Sequence, residues 1–192
     1  PCFFYIVIGC AQLQVKDGIL SPPHKNYTVN IPGKGWEMIK VGKEDIALWH
    51  KQYHAMIAFI SSDIENKKVS LKMLNNQLFI GMKNKKILLN EPMLVDNQKA
   101  MHTILMCEID SHKFKVDSYV IKLENKIYDL VYWAPPDSFD YAREDFKSIV
   151  KSFKFLNSPR FSRSSMMVRT ICSPTFLMAS RPKRIALPFS GA

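Results

Sequence analysis

The spacing of apolar residues changes several times along this chain, and each change marks an element. Tyr27, Val29 and Ile31 alternate with Thr28 and Asn30, the period of a strand buried on one face. Pro32-Gly33-Lys34-Gly35 reads as a turn. Residues 36–41 read as a second strand, with Trp36, Met38 and Ile39 inward. A turn at 42–45 leads to a third strand at 46–50. Residues 55–60 are apolar throughout and predict a fourth, which ends in the polar Ser61-Ser62-Asp63. Between Val69 and Met82 the period switches. Leu71, Leu74, Leu78 and Met82 recur at spacings of three and four, the stripe of an amphipathic helix. Asn75 and Asn76 are expected to face away from it, and Gly81 to stop it.

Strand patterns resume at 86–89, 100–108, 114–123 and 127–133. In the third of these, Phe114, Val116, Ser118 and Val120 share one face, and Lys115, Asp117, Tyr119 and Ile121 the other. Asn125-Lys126 is the expected hairpin turn before the last strand. Ala134-Pro135-Pro136-Asp137 breaks the sheet. Asp137 is placed to cap a helix, and Asp140 suits that helix's positive end. Phe139, Ala142, Phe146, Ile149, Val150 and Phe153 form its apolar stripe, and Phe155-Leu156 a short closing extension. Four strands, a helix, about four strands and a helix, with hairpin-length connections, predict an α+β fold. Its antiparallel sheet carries two main helices packed against it.

Both ends differ from this middle. Phe3-Phe4-Tyr5-Ile6-Val7-Ile8-Gly9-Cys10 is an apolar run, far shorter than the roughly 20 residues a membrane span needs. It fits the apolar core and cleavage site of a signal segment, residues 1–10, whose charged start is expected to precede Pro1. Val7-Ile8-Gly9-Cys10 resembles the bacterial lipobox, although valine stands where leucine is commonest. That resemblance implies acylation of Cys10. Residues 11–26 read as a polar tether and 27–156 as the folded domain. After Asn157 periodicity disappears, and Ser, Arg, Pro and Met dominate. Residues 157–192 are expected to be a disordered basic tail, either native or the product of a frameshift.

Charge follows the same division. The net charge is +10, but Arg160, Arg163, Arg169, Arg181, Lys183 and Arg184 all lie in the tail, which has no acid. Without them about +4 remains, ordinary for a domain of this size. Lys67-Lys68 and the Lys83, Lys85, Lys86 cluster read as solvated helix-end lysines without the interleaved aromatics of a nucleic-acid surface. Nucleic acid is therefore not expected as a partner, and anionic lipid headgroups suit an exported basic domain better.

Candidate chemistry is sparse. Cys2, Cys10, Cys107 and Cys172 have no regular spacing, so neither a disulfide framework nor a zinc site is expected, and Cys107 reads as a buried thiol. His50 and His54 bracket a turn with no third ligand, which argues for an accidental pair. His102 lies in an apolar strand and reads as a satisfied imidazole. Ser61-Ser62-Asp63 could be drawn into a triad with a histidine, as could a similar trio in any chain this long. Asp129 interrupts an apolar strand between Tyr128 and Leu130, and a structural role is favoured for it. No phosphate loop, nucleophile elbow or dinucleotide fingerprint occurs, and no cofactor is expected.

From Tyr27 to Leu156 the chain resembles the PsbP-like superfamily, above all bacterial lipoproteins of that type. The resemblance rests on the opening residues from Tyr27 to Trp36, on Tyr128-Asp129-Leu130-Val131-Tyr132-Trp133-Ala134-Pro135-Pro136, and on Phe139 with Asp145-Phe146 to Ser152-Phe153. It implies an α/β/α sandwich. It does not imply the photosynthetic or Ran-binding roles of other members, because the matching residues are packing and turn residues. The expected function is that of a non-catalytic lipoprotein domain in the bacterial envelope, held to the membrane through acylated Cys10 and binding a protein partner outside the cytoplasm. The alternative is a carrier of a hydrophobic or lipid ligand, with Met56, Phe59, Leu78 and Met82 lining its pocket. An enzyme is the least favoured reading.

Overall fold

In chain order the elements are β1 (Gln14–Lys16), β2 (Ile19–Ser21), β3 (Tyr27–Asn30), β4 (Trp36–Met38), β5 (Ile46–His50), β6 (Ala55–Asp63), α1 (Leu71–Leu78), β7 (Lys83–Val95), β8 (Gln98–Ile109), β9 (His112–Leu123), β10 (Lys126–Ala134), α2 (Phe139–Ser152) and β11 (Lys154–Phe155). This computed structural model describes residues 14–16, 18–22, 25–40, 42, 44–64 and 68–156. Cys10 and the basic segment after residue 156 lie outside them. Strands β4 to β10 form one antiparallel sheet in the order β4-β5-β6-β10-β9-β8-β7, and a smaller sheet runs β1-β2-β3-β11. The architecture is α+β.

Helix α2 and the small sheet cover one face of the large sheet. Phe139, Ala142, Phe146, Ile149 and Val150 of α2 are buried with Tyr27, Val29, Phe59, Tyr128 and Tyr132. The stripe at three- and four-residue spacing meets the sheet as expected. Helix α1 covers part of the opposite face, where Leu74 packs on Val120 and Ile127. Phe79, just beyond it, joins Met56, Leu105, Cys107 and Trp133. Met56 and Phe59 therefore sit on opposite faces of β6, as an odd separation along a strand requires. The four residues proposed above for one carrier pocket do not line one space: Met56, Leu78 and Met82 share a cluster, and Phe59 belongs to the other side.

Several expectations need correction. Part of the segment read as a tether is folded: β1 and β2 form a hairpin that pairs through β2 with β3, and Leu20 is fully buried. Its apolar Ile19-Leu20 was too short to signal a strand among polar neighbours. Strand β7 spans 13 residues rather than four. Pro92 does not interrupt it because β7 is the sheet edge, where a missing N–H is tolerated. Strand β4 is shorter than expected, and Met38 is exposed while Trp36 is buried. The turn into β10 is displaced by one residue. Glu124 takes the left-handed conformation (φ 54°), and Lys126 already pairs with Leu123. The hairpins on either side of β8 turn at Asp96-Asn97 and Asp110-Ser111, all four with positive φ. That geometry matches the right-handed twist of the strands.

Both helix starts are set by serine. Ser70 Oγ accepts from Met73 N (3.2 Å), which satisfies one free amide of α1. At α2 the N-cap position is Ser138, not Asp137. Ser138 Oγ instead donates to the Tyr53 carbonyl (2.7 Å) and fastens the helix start to the β5–β6 turn.

Candidate functional site

The densest buried polar cluster lies on the α2 side of the sheet. Asp117 of β9 has no exposed surface, and His102 of β8 is nearly as buried. His102 Nε2 donates to Asp117 Oδ1 (2.8 Å), and Arg143 Nε from α2 donates to Asp117 Oδ2 (2.8 Å). The hairpin pairs His102 with Tyr119 and Ile104 with Asp117. This sets His102 and Asp117 diagonally on one face, within reach of long side chains. The imidazole stacks on Tyr119 (4.3 Å between centroids, 5° between planes). Burial, helped by the Asp117 charge, raises the Tyr119 phenol far above its ordinary range. Glu91 of the edge strand completes the cluster, its Oε1 3.6 Å from His102 Nδ1.

In a hydrolytic triad the imidazole stands between a carboxylate and a hydroxyl or thiol. Here its second nitrogen faces another carboxylate. Both Asp117 oxygens are engaged, so the cluster clamps β8, β9 and α2 together as a charge-assisted hydrogen-bond network.

A second polar cluster sits on the α1 side. Asn75 is buried, contrary to expectation, and its Oδ1 accepts from Thr103 Oγ1 (3.0 Å). Thr103 Oγ1 in turn accepts from Asn90 Nδ2 (3.1 Å), and Ser118 Oγ donates to the Thr103 carbonyl (3.3 Å). Asn75 falls four residues after Leu71 and three before Leu78, so helix geometry places it on the inward stripe despite its polarity.

The third grouping is aromatic. Trp36 Nε1 donates to Asp145 Oδ2 of α2 (2.9 Å), and Trp36 meets His50 edge to face. His50, Tyr53 and Tyr141 stack in series. At the other end of the sheet Asp45, nearly fully buried, takes Lys25 (2.7 Å) and the Tyr27 hydroxyl (3.1 Å). Burial, then Asp45, raises the Tyr27 hydroxyl far above its usual range.

The other residues singled out from the sequence do not converge. His50 is buried against Tyr53, whereas His54 is exposed beside Trp49. No group of three metal-ligating side chains exists among the described residues. Ser61 accepts from Lys25 and Asp63 pairs with Lys126, so the drawn triad gains no histidine. Asp129 is half-buried between Ile60 and Val120 of the neighbouring strands and has its own interactions. Cys107 is a buried free thiol, pushed up to about 11 by desolvation. Cys10, the expected lipidation site, lies outside the described residues, as do Cys2 and Cys172.

No protein-family model matches the chain, and no curated protein matches it in sequence. Solved structures do match in shape. The cyanobacterial PsbP, CyanoP, of Synechocystis sp. PCC 6803 is 17% identical with a TM-score of 0.54, covering 78% of this chain and 95% of its own. LpqN of Mycobacterium tuberculosis, a protein involved in cell envelope biogenesis, is 10% identical with a TM-score of 0.54, covering 68% and 84%. At these identities the likeness is one of fold, and the fold is PsbP-like.

Proposed function

We propose that this chain is a membrane-anchored, non-catalytic lipoprotein domain of the bacterial envelope, acting as an accessory or protein-binding factor. The observation that carries the reading is the likeness of Val7-Ile8-Gly9-Cys10 to the bacterial lipobox, four residues ahead of the first strand of a PsbP-like domain. Acylation at Cys10 supplies the anchor, since two or more acyl chains hold a protein on a bilayer far more firmly than one. Among the described residues no helix is long and apolar enough to cross a membrane. LpqN, which shares the fold, is involved in cell envelope biogenesis, and this supports the same address here. The non-catalytic part rests on the His102–Asp117–Arg143 cluster, whose groups are spent on one another.

The test is metabolic. Expressed in a bacterium behind a complete signal sequence, the chain should incorporate labelled palmitate and fractionate with membranes, and Cys10→Ala should abolish both. Equal labelling of the two forms, or none in either, removes the anchor.

A further inference from the structure

We propose that the surface formed by α1 and the first half of β7 is a docking face for an anionic phospholipid bilayer, separate from any anchor at Cys10. Between Asn66 and Asn90 the chain has six lysines and no acidic residue. Within that stretch the fold exposes four large apolar side chains: Ile80 (72% exposed), Ile87 (61%), Met73 (53%) and Leu88 (48%). Met73 stands on the first turn of α1, and Ile80 lies in the turn that follows its C-terminus. Ile87 stands opposite Leu105, which packs with Phe79, the neighbour of Ile80. Lys85 Nζ reaches the Phe79 carbonyl (3.3 Å), so a cation lies at the centre of the patch. Exposed Lys72 flanks it on the helix, whereas Lys83 and Lys86, opposite Glu108 and Met106, alternate onto the other face of the edge strand. Glu108 is the nearby acid, opposite Lys83 and bonded to Asn84.

Exposed aliphatic side chains beside lysines are the chemistry of an interfacial membrane contact. The apolar groups enter the headgroup boundary, and the ammonium groups meet lipid phosphates. A protein partner fits less well. The patch holds no Trp, Tyr or Arg, the residues that dominate protein interfaces, and lysine is depleted there. Strand addition at the β7 edge is also obstructed, by register breaks between Lys83 and Lys86 and between Ile87 and Leu89 and by Pro92. The hairpin of β1 and β2 lies on the α2 side and this face on the α1 side, so acylated Cys10 is not needed for the contact.

The experiment uses the full chain made without a signal sequence, hence unacylated, with vesicles of phosphatidylglycerol and phosphatidylcholine or of phosphatidylcholine alone. The chain should sediment with the anionic vesicles, more weakly as salt rises, and not with the neutral ones. Each lysine near an anionic surface is worth about a five-fold change in partitioning, so the double variant Lys72→Glu, Lys85→Glu should lose about 25-fold. Ile80→Ser with Ile87→Ser should also weaken binding, with melting unchanged in both variants. Replacing the six basic tail residues by serine should leave most of the binding in place. Absence of vesicle binding overturns the proposal. So does binding that survives the lysine and isoleucine variants, or that disappears with the tail charges alone. Because Cys10 is not acylated in this assay, a negative result here and a negative palmitate result are independent.

Discussion

Asp117 has no contact with solvent and accepts from both His102 and Arg143, so removing its carboxylate strands both donors. Breaking a buried pair by deleting one partner costs about 3–5 kcal/mol when the remaining charge stays buried. Arg143 is partly exposed and can regain water. Asp117→Ala should therefore destabilise by about 2–3 kcal/mol, read as a lower urea midpoint, and Asp117→Asn by less. A variant as stable as the parent shows that the cluster does not hold α2 to the sheet. Cys107 gives a prediction on the alkaline side. Burial raises its thiol from an ordinary value of 9.0 to about 11. Above pH 9 the unfolded chain releases this proton while the folded one keeps it, so stability falls as pH rises from about 9 to about 11. In a background with Cys2, Cys10 and Cys172 changed to serine, Cys107 should resist thiol reagents at pH 8 until the protein is unfolded. Replacing it by alanine should flatten its share of the alkaline loss. Fast labelling of the native protein contradicts the burial argument.

Among the elements, those with a strong period were legible. The α2 stripe, β5 and the central strands fall where spacing placed them, because each buries one continuous face and selection acts on every second or every third and fourth residue. Legibility failed where polarity and position disagree. Asn75 is an inward residue with an amide, and Asp117 was assigned to its strand face but not to its partner. His102 and Asp117 meet only once the Asp110-Ser111 turn sets the hairpin register, and the strand alternation does not reveal that turn. The length of β7 was hidden for a different reason. An edge strand carries lysines, asparagine and proline that a central strand excludes, and so reads as loop. The turn between β3 and β4 can be tested directly. Gly35 has φ +83°, and a Cβ there would lie 2.1 Å from His50 Nε2. The left-handed backbone alone costs a non-glycine residue about 1–2 kcal/mol. Gly35→Ala should exceed that because the His50 ring is packed against Trp36 and Tyr53. In a His50→Ala background the excess should vanish, leaving the backbone share. Purely additive effects of the two substitutions would show that the ring moves aside freely.

At the scale of the whole molecule, the domain begins earlier than Tyr27, and truncation measures by how much. The N-terminal hairpin contributes Leu20, which is fully buried, and a bond from Ile31 N to the Gly18 carbonyl (2.9 Å). The following segment contributes Lys25, which neutralises the buried Asp45 at 2.7 Å. A chain starting at Gln14 keeps all three and should melt with the parent. A chain starting at Tyr27 loses all three. Truncating a buried leucine alone typically costs about 2–5 kcal/mol, and an unpaired Asp45 adds the cost of a buried charge without its partner. Against the roughly 5–15 kcal/mol that hold a whole domain, this start should leave the protein barely folded at room temperature. Leu20→Ala and Lys25→Ala in the longer chain separate the two causes, the first a packing loss indifferent to salt, the second a charge effect. At the other end, β11 pairs with β3, and Leu156 N donates to the Asn26 carbonyl (2.9 Å). A chain ending at Asn157 retains both contacts, and calorimetry should find its melting temperature unchanged. If the chain starting at Tyr27 melts like the parent, the hairpin is an appendage and the segment serves as a tether after all. A lower melting temperature for the chain ending at Asn157 would show that residues beyond it pack on the domain.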